Sequence, residues 1–262
     1  MVHAGDPRKS VARRGRRLAL GLAGSLVGLV VAAWSGGASA GPPFLTDDPE
    51  PTDPGHWELY APVEAAGRGS DFAGSAGIEV NYGAAPGLQL TAALPEGYAR
   101  SNGKWHSGAA DVELAVKYRF VQDEHLGLQI AAFPGITLPT GTHNFSAGKV
   151  TALLPLWFQE DVGHWSFFGG GGRAINPGEG NRDYWTGGIA ASRELGKHWL
   201  LGVEADRDGA DEAGGAASTS LGAGAIYRLK APFKLLASAG PTLVDHHGGT
   251  LFHAYLALGI DY

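Results

Sequence analysis

The sequence of 262 residues contains no cysteine and a single methionine, its first residue. Without cysteine it has no disulfide scaffold, no thiolate metal site and no cysteine nucleophile. Beyond residue 41 it also lacks an uninterrupted apolar run of about 18 residues, which excludes a transmembrane helix there, and it lacks helical periodicity. Glycine is abundant, with 42 residues, and disfavours helices. The composition is therefore compatible with a soluble β-sandwich or a membrane β-barrel.

The first forty residues predict a cleaved secretory signal peptide. Six basic residues come first: Arg8, Lys9, Arg13, Arg14, Arg16 and Arg17. The uncharged run Leu18–Trp34 follows, and Ala38 and Ala40 provide a small-x-small cleavage site. An uncleaved anchor is the alternative, although about 17 apolar residues are at the short limit for crossing a bilayer. A twin-arginine signal fits less well because the residues around the arginine pairs match that pattern poorly.

Cleavage after Ala40 changes the charge of the chain. Residues 1–40 hold six basic residues and one acidic residue, so residues 41–262 keep 14 Lys+Arg against 25 Asp+Glu, a net charge of −11. An acidic chain repels the phosphate backbone, so we expect no nucleic-acid partner.

Residues of alternating polarity recur along the rest of the chain and predict twelve strands. Eight are clear, near 57–64, 78–82, 88–94, 111–120, 149–159, 199–206, 221–229 and 252–262. Four are weaker, near 126–137, 164–174, 184–194 and 233–243. Each clear strand has one apolar side and one polar or small side, an alternation that by itself fits both a sandwich and a barrel.

The connections between these strands favour a barrel. Five are short, near 84–86, 121–125, 160–163, 195–196 and 230–232. Six are longer, near 65–74, 97–109, 138–148, 175–183, 207–217 and 244–249. Short periplasmic turns and longer outer loops are typical of outer-membrane barrels. We therefore predict an all-β fold, a transmembrane antiparallel up-and-down β-barrel of about 12 strands, with residues 1–40 as signal peptide, 41–55 as an acidic, proline-rich lead segment and 56–262 as the barrel.

Aromatic residues concentrate at the short-turn ends of the predicted strands, as expected for a girdle at a membrane interface. They are Trp57, Tyr82, Tyr118, Phe120, Phe158, Trp165, Trp199, Tyr227, Phe233 and Tyr262. Trp105, Phe145, Tyr184 and Trp185 are candidates for a second girdle. The last strand ends on the aromatic Tyr262, which resembles the C-terminal signal of outer-membrane barrels. The expected partners are therefore outer-membrane lipid and the barrel-assembly machinery.

The polar side of the strands is expected to face the lumen. The candidate lining residues are Glu58, Glu64, Glu79, Asp111, Glu113, Lys117, Arg119, Lys149, Glu204, Arg228 and Lys234. They predict either a polar pore lining that selects solutes or a salt-bridged interior that fills a narrow barrel.

The lead segment carries Asp47, Asp48 and Glu50 among three prolines. Carboxylates of this kind suit calcium, but the prolines favour an extended segment, either periplasmic or entering the lumen as a plug. We therefore predict no metal site here. His246-His247 is an equally weak metal candidate, because adjacent residues on a strand point to opposite faces. No Lys-Ser/Thr follows Gly169–Gly172, so this run is not a phosphate loop, and we predict no cofactor.

The candidates for catalysis are a histidine, an aspartate and two serines near the end of the chain. His253, Asp245, Ser218 and Ser220 suggest a lipid-modifying enzyme, but no G-x-S-x-G motif is present. We expect the protein not to be an enzyme; an outer-membrane lipid-modifying enzyme and a closed structural barrel are the alternatives.

Several motifs resemble the outer-membrane proteins known as putative transporters of the phenol meta-degradation pathway. They are GPPFLTDDPEP from Gly41, GHWE from Gly55, EVNYG from Glu79, DVE from Asp111, KYRF from Lys117, LPTG from Leu138, PLW from Pro155 and Gly169–Gly172. The resemblance spans most of 41–262. It implies a barrel in the cell outer membrane that takes up small organic molecules, aromatic or hydrophobic ones included, of unknown identity.

Overall fold

The computed structural model describes residues 43–246 and 248–262; the predicted signal peptide and His247 lie outside the described residues. Within the described part, no helix is long and apolar enough to cross a membrane. The β-segments are β1 (Trp57–Arg68), β2 (Asp71–Ala85), β3 (Leu88–Ser101), β4 (Lys104–Ala109), β5 (Val112–Asp123), β6 (Leu128–Ala132), β7 (Gly135–Leu138), β8 (Thr151–Val162), β9 (Trp165–Ile175), β10 (Tyr184–Leu195), β11 (Trp199–Asp208), β12 (Ser218–Arg228), β13 (Phe233–Val244) and β14 (Gly249–Asp261).

These segments form one closed sheet. Neighbouring strands pair antiparallel in chain order, and β1 pairs with β14 along its whole length, from Glu58 opposite Asp261 to Gly67 opposite Phe252. The segments β4 and β5 both pair with β3, and β6 and β7 both pair with β5 and β8, so each couple forms one interrupted strand. The predicted closed, up-and-down barrel of 12 antiparallel strands is therefore confirmed.

The two interruptions have local causes. At Phe133-Pro134 the proline has no N–H group to donate to the ladder, and the ring of Phe133 points inward, where it is 1% exposed. The amide of Phe133 still donates to the carbonyl of Pro155 at 3.3 Å, so the wall remains joined. At Ala110-Asp111 the amide of Ala110 donates to the carbonyl of Pro95 at 3.0 Å, and the side chain of Asp111 binds the loop 139–150.

The outward face is apolar along every strand. Ile78, Leu94, Val203 and Leu256 expose 55–59% of their surface, although residues of this type are normally buried. The residues between them point inward and are polar or small, including Glu79, Gln89, Lys117 and Glu204. An apolar exterior around a polar interior is the pattern of a barrel surrounded by lipid.

Aromatic side chains ring the short-turn end of the outward face. The rings of Trp57 and Tyr82 lie 4.4 Å apart, and those of Trp199 and Tyr227 lie 4.6 Å apart. At the opposite, long-loop end, Trp105 and Trp185 are exposed outward, at 62% and 66%. The prediction was wrong for Phe145 and Tyr184, which are each 9% exposed and pack inside the protein.

Two of the predicted long connections are also wrong. Residues 65–74 and 97–109 continue the strands and turn only at residues 69–70 and 102–103. Asn102 and Gly103 have φ values of 52° and 76°, the left-handed pair that a tight hairpin turn requires. The remaining long-loop connections are the predicted ones, at 139–150, 176–183, 209–217 and 245–248.

Candidate functional site in the barrel lumen

Residues 43–54 of the lead segment lie inside the barrel and cross the lumen. The carbonyl of Pro43 accepts a hydrogen bond from Oγ of Ser238 on β13. At the other end of the segment, Pro54 forms a parallel bridge with Gly83 on β2. Between these two points the segment contacts the opposite wall at Lys117 on β5. It therefore spans the lumen from wall to wall, nearer the short-turn end.

Phe44 is the apolar anchor of the lead segment. It is 5% exposed and packs against Phe168 and Ala190, with its ring 5.8 Å from that of Phe168. The wall beneath it is made of glycine. A Cβ atom at Gly202 would lie 2.5 Å from the ring of Phe44, and one at Gly224 would lie 2.9 Å from it. The two glycines thus provide the space that the ring occupies.

Lys117 is the polar anchor of the segment. Its Nζ lies 3.1 Å from Oδ1 of Asp47 and 3.6 Å from Oδ1 of Asp48, and it donates to the carbonyl of Asp48 at 2.9 Å. The side chains of Lys117 and Asp47 are 4% and 0% exposed. The ammonium group also lies 4.7 Å from the centre of the Phe133 ring. A lysine held on several sides in this way fixes the middle of the lead segment.

Uncharged wall residues hold the rest of the segment. Glu50 accepts a hydrogen bond from Nε2 of Gln129 at 2.9 Å. The amide of Thr52 donates to Oε1 of Gln89 at 2.7 Å, and Nε2 of Gln89 donates in turn to Asn81. The sequence pattern did not predict these contacts of glutamine and asparagine, because only charged residues were taken as candidates for the lumen lining. The alternation of residues in β2, β3 and β6 places these side chains on the inward face, and this position would have identified them as lining residues.

Glu204 holds the first part of the segment from β11. Its Oε2 accepts a hydrogen bond from the amide of Thr46 at 2.9 Å. Thr46 itself is fully buried, and Glu204 is 5% exposed. Lead-segment contacts therefore reach β2, β3, β5, β6, β11 and β13, most of the circumference of the barrel.

The remaining candidate lining residues lie at different heights in the lumen. Glu79 and Glu113 face inward on β2 and β5. Near the short-turn end, Lys234 lies 3.9 Å from Glu58 and 2.8 Å from Asp261. In the same region the guanidinium group of Arg119 donates to Gln129.

Three candidates are placed differently from the prediction. Arg228 lies at the short-turn mouth of the barrel, half exposed, in an ion pair of 2.8 Å with Glu194. Lys149 was placed in a strand, but it lies before β8 in the exposed loop 139–150. Asp111 accepts the amides of Gly141 and Ala147, both at 2.8 Å, so it fixes that loop instead of lining the pathway.

The loop 139–150 turns inward at the long-loop end. The ring of Phe145 packs against Ala73 and Ala99 on the inner wall. A Cβ atom at Gly97 would lie 2.3 Å from this ring, so glycine again makes room for an aromatic residue. The loop thereby covers part of the outer mouth above β2 and β3.

Outer loops are also held by ion pairs. Asp183 lies 3.0 Å from the guanidinium group of Arg173 and accepts the amide of Asn176 at 3.0 Å. The hydrogen bonds from the Asn176 amide and from Arg173 lower the pKa of the Asp183 carboxyl below its ordinary value. This carboxylate therefore organises the loop 176–183 whenever it is ionised.

The residues considered for catalysis form a row on the inner wall. Oγ of Ser220 lies 2.9 Å from Oγ1 of Thr242, which lies 3.1 Å from Nδ1 of His253. Thr242 thus stands between the serine and the histidine, so His253 is not in contact with the hydroxyl that it would have to deprotonate. Asp245 is bound to Arg207 at the surface. The arrangement is that of a hydrogen-bonded wall.

Comparison with known proteins identifies the fold. No protein-family model matches the chain, and no curated protein matches it in sequence. Among solved structures, an outer membrane channel from Pseudomonas putida F1 superposes with a TM-score of 0.65 at 12% identity, covering 81% of this chain and 97% of that chain. The KdgM porin, in complex with disordered oligogalacturonate, superposes with a TM-score of 0.55 at 9% identity, covering 78% and 98%. The fold is that of outer-membrane β-barrels, while the resemblance to the phenol-pathway family stays a prediction.

Proposed function

We propose that this protein is a channel of the bacterial outer membrane that passes small organic molecules. The observation that carries the proposal is the closed barrel with an apolar exterior and a polar, charged interior. A polar lumen inside a lipid-facing wall is what a solute pathway requires. The similarity in fold to a channel and to a porin supports the same function.

In this proposal, the signal peptide and the strand ends determine the orientation of the barrel in the membrane. Residues 1–40 direct the chain out of the cytoplasm, and the strand that ends at Tyr262 engages the barrel-assembly machinery. The five short turns then face the periplasm, as does the point where the lead segment enters the lumen. Solutes enter from the outside past the loop 139–150.

The lead segment acts as a plug in this channel. It crosses the lumen, and its contacts with the wall are a few hydrogen bonds, the ion pair of Asp47 with Lys117 and the ring of Phe44. These contacts are separate from the hydrogen-bond ladder of the barrel, so they can break without unfolding it. Passage of solutes therefore depends on displacement of residues 43–54.

The resemblance to transporters of the phenol pathway suggests aromatic or hydrophobic solutes. The inner wall also carries aromatic side chains, namely Phe133, Trp157 and Phe168. Phe44 of the lead segment packs against Phe168, so displacement of the segment would uncover that ring. Aromatic side chains of this kind provide contact area for an aromatic solute.

Reconstitution of the purified full-length protein tests the proposal. A shift in gel migration between heated and unheated samples first verifies that the barrel has formed. In planar bilayers we expect discrete conductance steps, and in liposomes we expect swelling with small organic solutes. A folded barrel that gives neither conductance nor swelling would remove the channel function and favour the closed structural barrel. Turnover of phospholipid or lipid A that Ser220→Ala or His253→Ala abolishes would instead establish the enzyme.

A further inference from the structure

Carboxylates line one wall of the outer half of the lumen. Glu64 on β1 and Glu113 on β5 face inward there, and Glu79 on β2 lies between them. The charged groups that act on Glu113 are Glu64, Glu79 and Asp111, all of them acidic. Among the ion pairs of the described residues, none involves Glu64 or Glu113. No basic side chain of the described residues is therefore paired with either carboxyl group.

A second group of carboxylates lies on the opposite wall. Glu204, Asp206 and Asp208 are alternate residues of β11 and share its inward face. On one side of the barrel, three strands lie between β11 and β1. On the other side, four strands lie between β11 and β5, namely β10, β9, β8 and the strand formed by β6 and β7. Opposite Glu204 and Asp206 stand only Gly222 and Ser220, and no Lys or Arg of the described residues forms an ion pair with this group.

Two buried oxygen atoms between the lead segment and β11 have no hydrogen-bond partner among the described residues. Oγ1 of Thr46, which is fully buried, and Oε1 of Glu204 have no hydrogen-bond partner in the described part of the chain. A Cβ atom at Gly188 would lie 2.3 Å from Oγ1 of Thr46 and 2.9 Å from Oδ2 of Asp206, so these oxygens face the same small space. Buried oxygens are stable only when a donor or a cation satisfies them.

The basic residues among the described ones form no ion pair with Glu64, Glu113, Asp206 or Asp208. Lys117 is bound to Asp47 and Asp48, and Lys234 is bound to Asp261 and Glu58 near the short-turn end. The outer half of the pathway is therefore negative. Clefts lined with charge of one sign concentrate ions of the opposite sign by a factor of about 10 or more, and rings of Asp and Glu make pores selective for cations.

We infer that the lumen selects for cations, and that the organic solute which this channel passes carries a positive charge, as an amine does. The two acidic walls attract the cation, and the oxygens of Thr46, Glu204 and Asp206 receive it where the lead segment begins. This inference rests on the proposed channel function and specifies the substrate class of that channel.

Reversal potentials in a salt gradient across planar bilayers test the inference on the full-length protein. With potassium chloride at low salt, we expect potassium to be about tenfold more permeant than chloride. The preference should weaken near 1 M salt, where the screening length is about 3 Å. Benzylammonium chloride should carry current in place of potassium chloride, whereas sodium benzoate should show no benzoate current.

Paired neutral variants assign the selectivity to the two walls. Glu64→Gln with Glu113→Gln, and separately Asp206→Asn with Asp208→Asn, should each lose most of the preference for potassium. Glu96→Gln removes an exposed carboxylate on the outward face of β3 and should keep the wild-type ratio. The gel-migration shift verifies that each variant has folded, and the benzylammonium current of the wild type gives an independent readout.

The outcomes separate the two proposals. A conducting channel that prefers chloride, or whose potassium preference survives neutralisation of both walls, overturns cation selectivity and leaves the channel function intact. A folded barrel without any conductance overturns the channel function and, with it, the inference.

Discussion

Nζ of Lys117 on β5 lies 3.1 Å from Oδ1 of Asp47, a residue 70 positions earlier in the chain, and both side chains are almost completely buried. The pair joins the lead segment to the barrel wall inside the lumen. Removing one member of a buried ion pair leaves a charge without compensation, at a cost of about 3–5 kcal/mol. The attachment of the lead segment is therefore sensitive to substitution at this point.

Lys117→Met should release the lead segment. The methionine keeps much of the volume of the lysine side chain but leaves Asp47 and Asp48 facing a wall without positive charge. We expect a larger mean conductance in planar bilayers, with more time spent in the higher level. Lys149→Met removes an exposed lysine from the loop 139–150 and should not change the conductance. Equal conductance of the two variants would show that the ion pair does not hold the segment.

Phe44→Ala should loosen the same segment through its apolar anchor. Loss of a buried phenylalanine costs about 3–5 kcal/mol, which corresponds to a rise in the displaced population of roughly two to four orders of magnitude. The chain has no cysteine, so Thr52→Cys, at a position 3% exposed, is a unique site for a polar maleimide. Labelling should be slow in the Thr52→Cys protein and much faster when Phe44→Ala is added.

The matched control for this experiment is Phe120→Ala, which removes a half-exposed phenylalanine from the outward face of β5. It should leave the labelling of the cysteine slow. Fast labelling without the Phe44→Ala substitution would mean that residues 43–54 already leave the lumen in the wild-type protein.

Asp111→Ala should free the loop 139–150. The amides of Gly141 and Ala147 lose their acceptor, and a hydrogen bond to a charged group contributes about 1.5–3 kcal/mol. Trypsin should then cleave after Lys149 faster than in the wild-type protein, with the fragments identified by mass spectrometry. Glu124→Ala, at an exposed position in a short turn, should leave the cleavage rate unchanged. An unchanged rate in Asp111→Ala would argue against its role in the loop.

Acid should loosen the loop 176–183. Because the pKa of Asp183 is lowered in the folded protein, its contribution is present above the ordinary pKa of aspartate, about 4, and is lost as the pH falls through the lowered value. Hydrogen exchange in this loop, corrected for the intrinsic rate, should rise below that pH. Asp183→Asn should show the faster exchange already at neutral pH, and identical exchange in both proteins would contradict the assignment.

The sequence predicted the barrel because the alternation of apolar and polar residues is a local signal. The prediction failed where glycine residues were interpreted as belonging to loops. In 65–74 and 97–109 glycines lie within strands, and at Gly74 and Gly97 they make room for the rings of Tyr98 and Phe145. Such a use of glycine depends on residues far away in the sequence, so no local pattern reports it.

The inner face was predicted only in part, because the contacts of its residues also depend on distant parts of the chain. Alternation places Lys117 and Glu204 on the lumen side, but it does not say that one binds Asp47 and the other binds the amide of Thr46. Those contacts depend on the path of the lead segment through the closed barrel. Gln89 and Gln129 were missed because uncharged side chains drew no attention, although both bind the lead segment.

The path of the lead segment also fixes the order in which the molecule is built. Thr46 binds Glu204 and Pro43 binds Ser238, which lie 158 and 195 positions further along the chain. Contacts of such sequence separation form late, because the intervening chain must first be ordered. Residues 43–54 thus find their place last, although they precede every strand in the chain. Until the strands from β1 to β14 have closed, these residues have no lumen to enter.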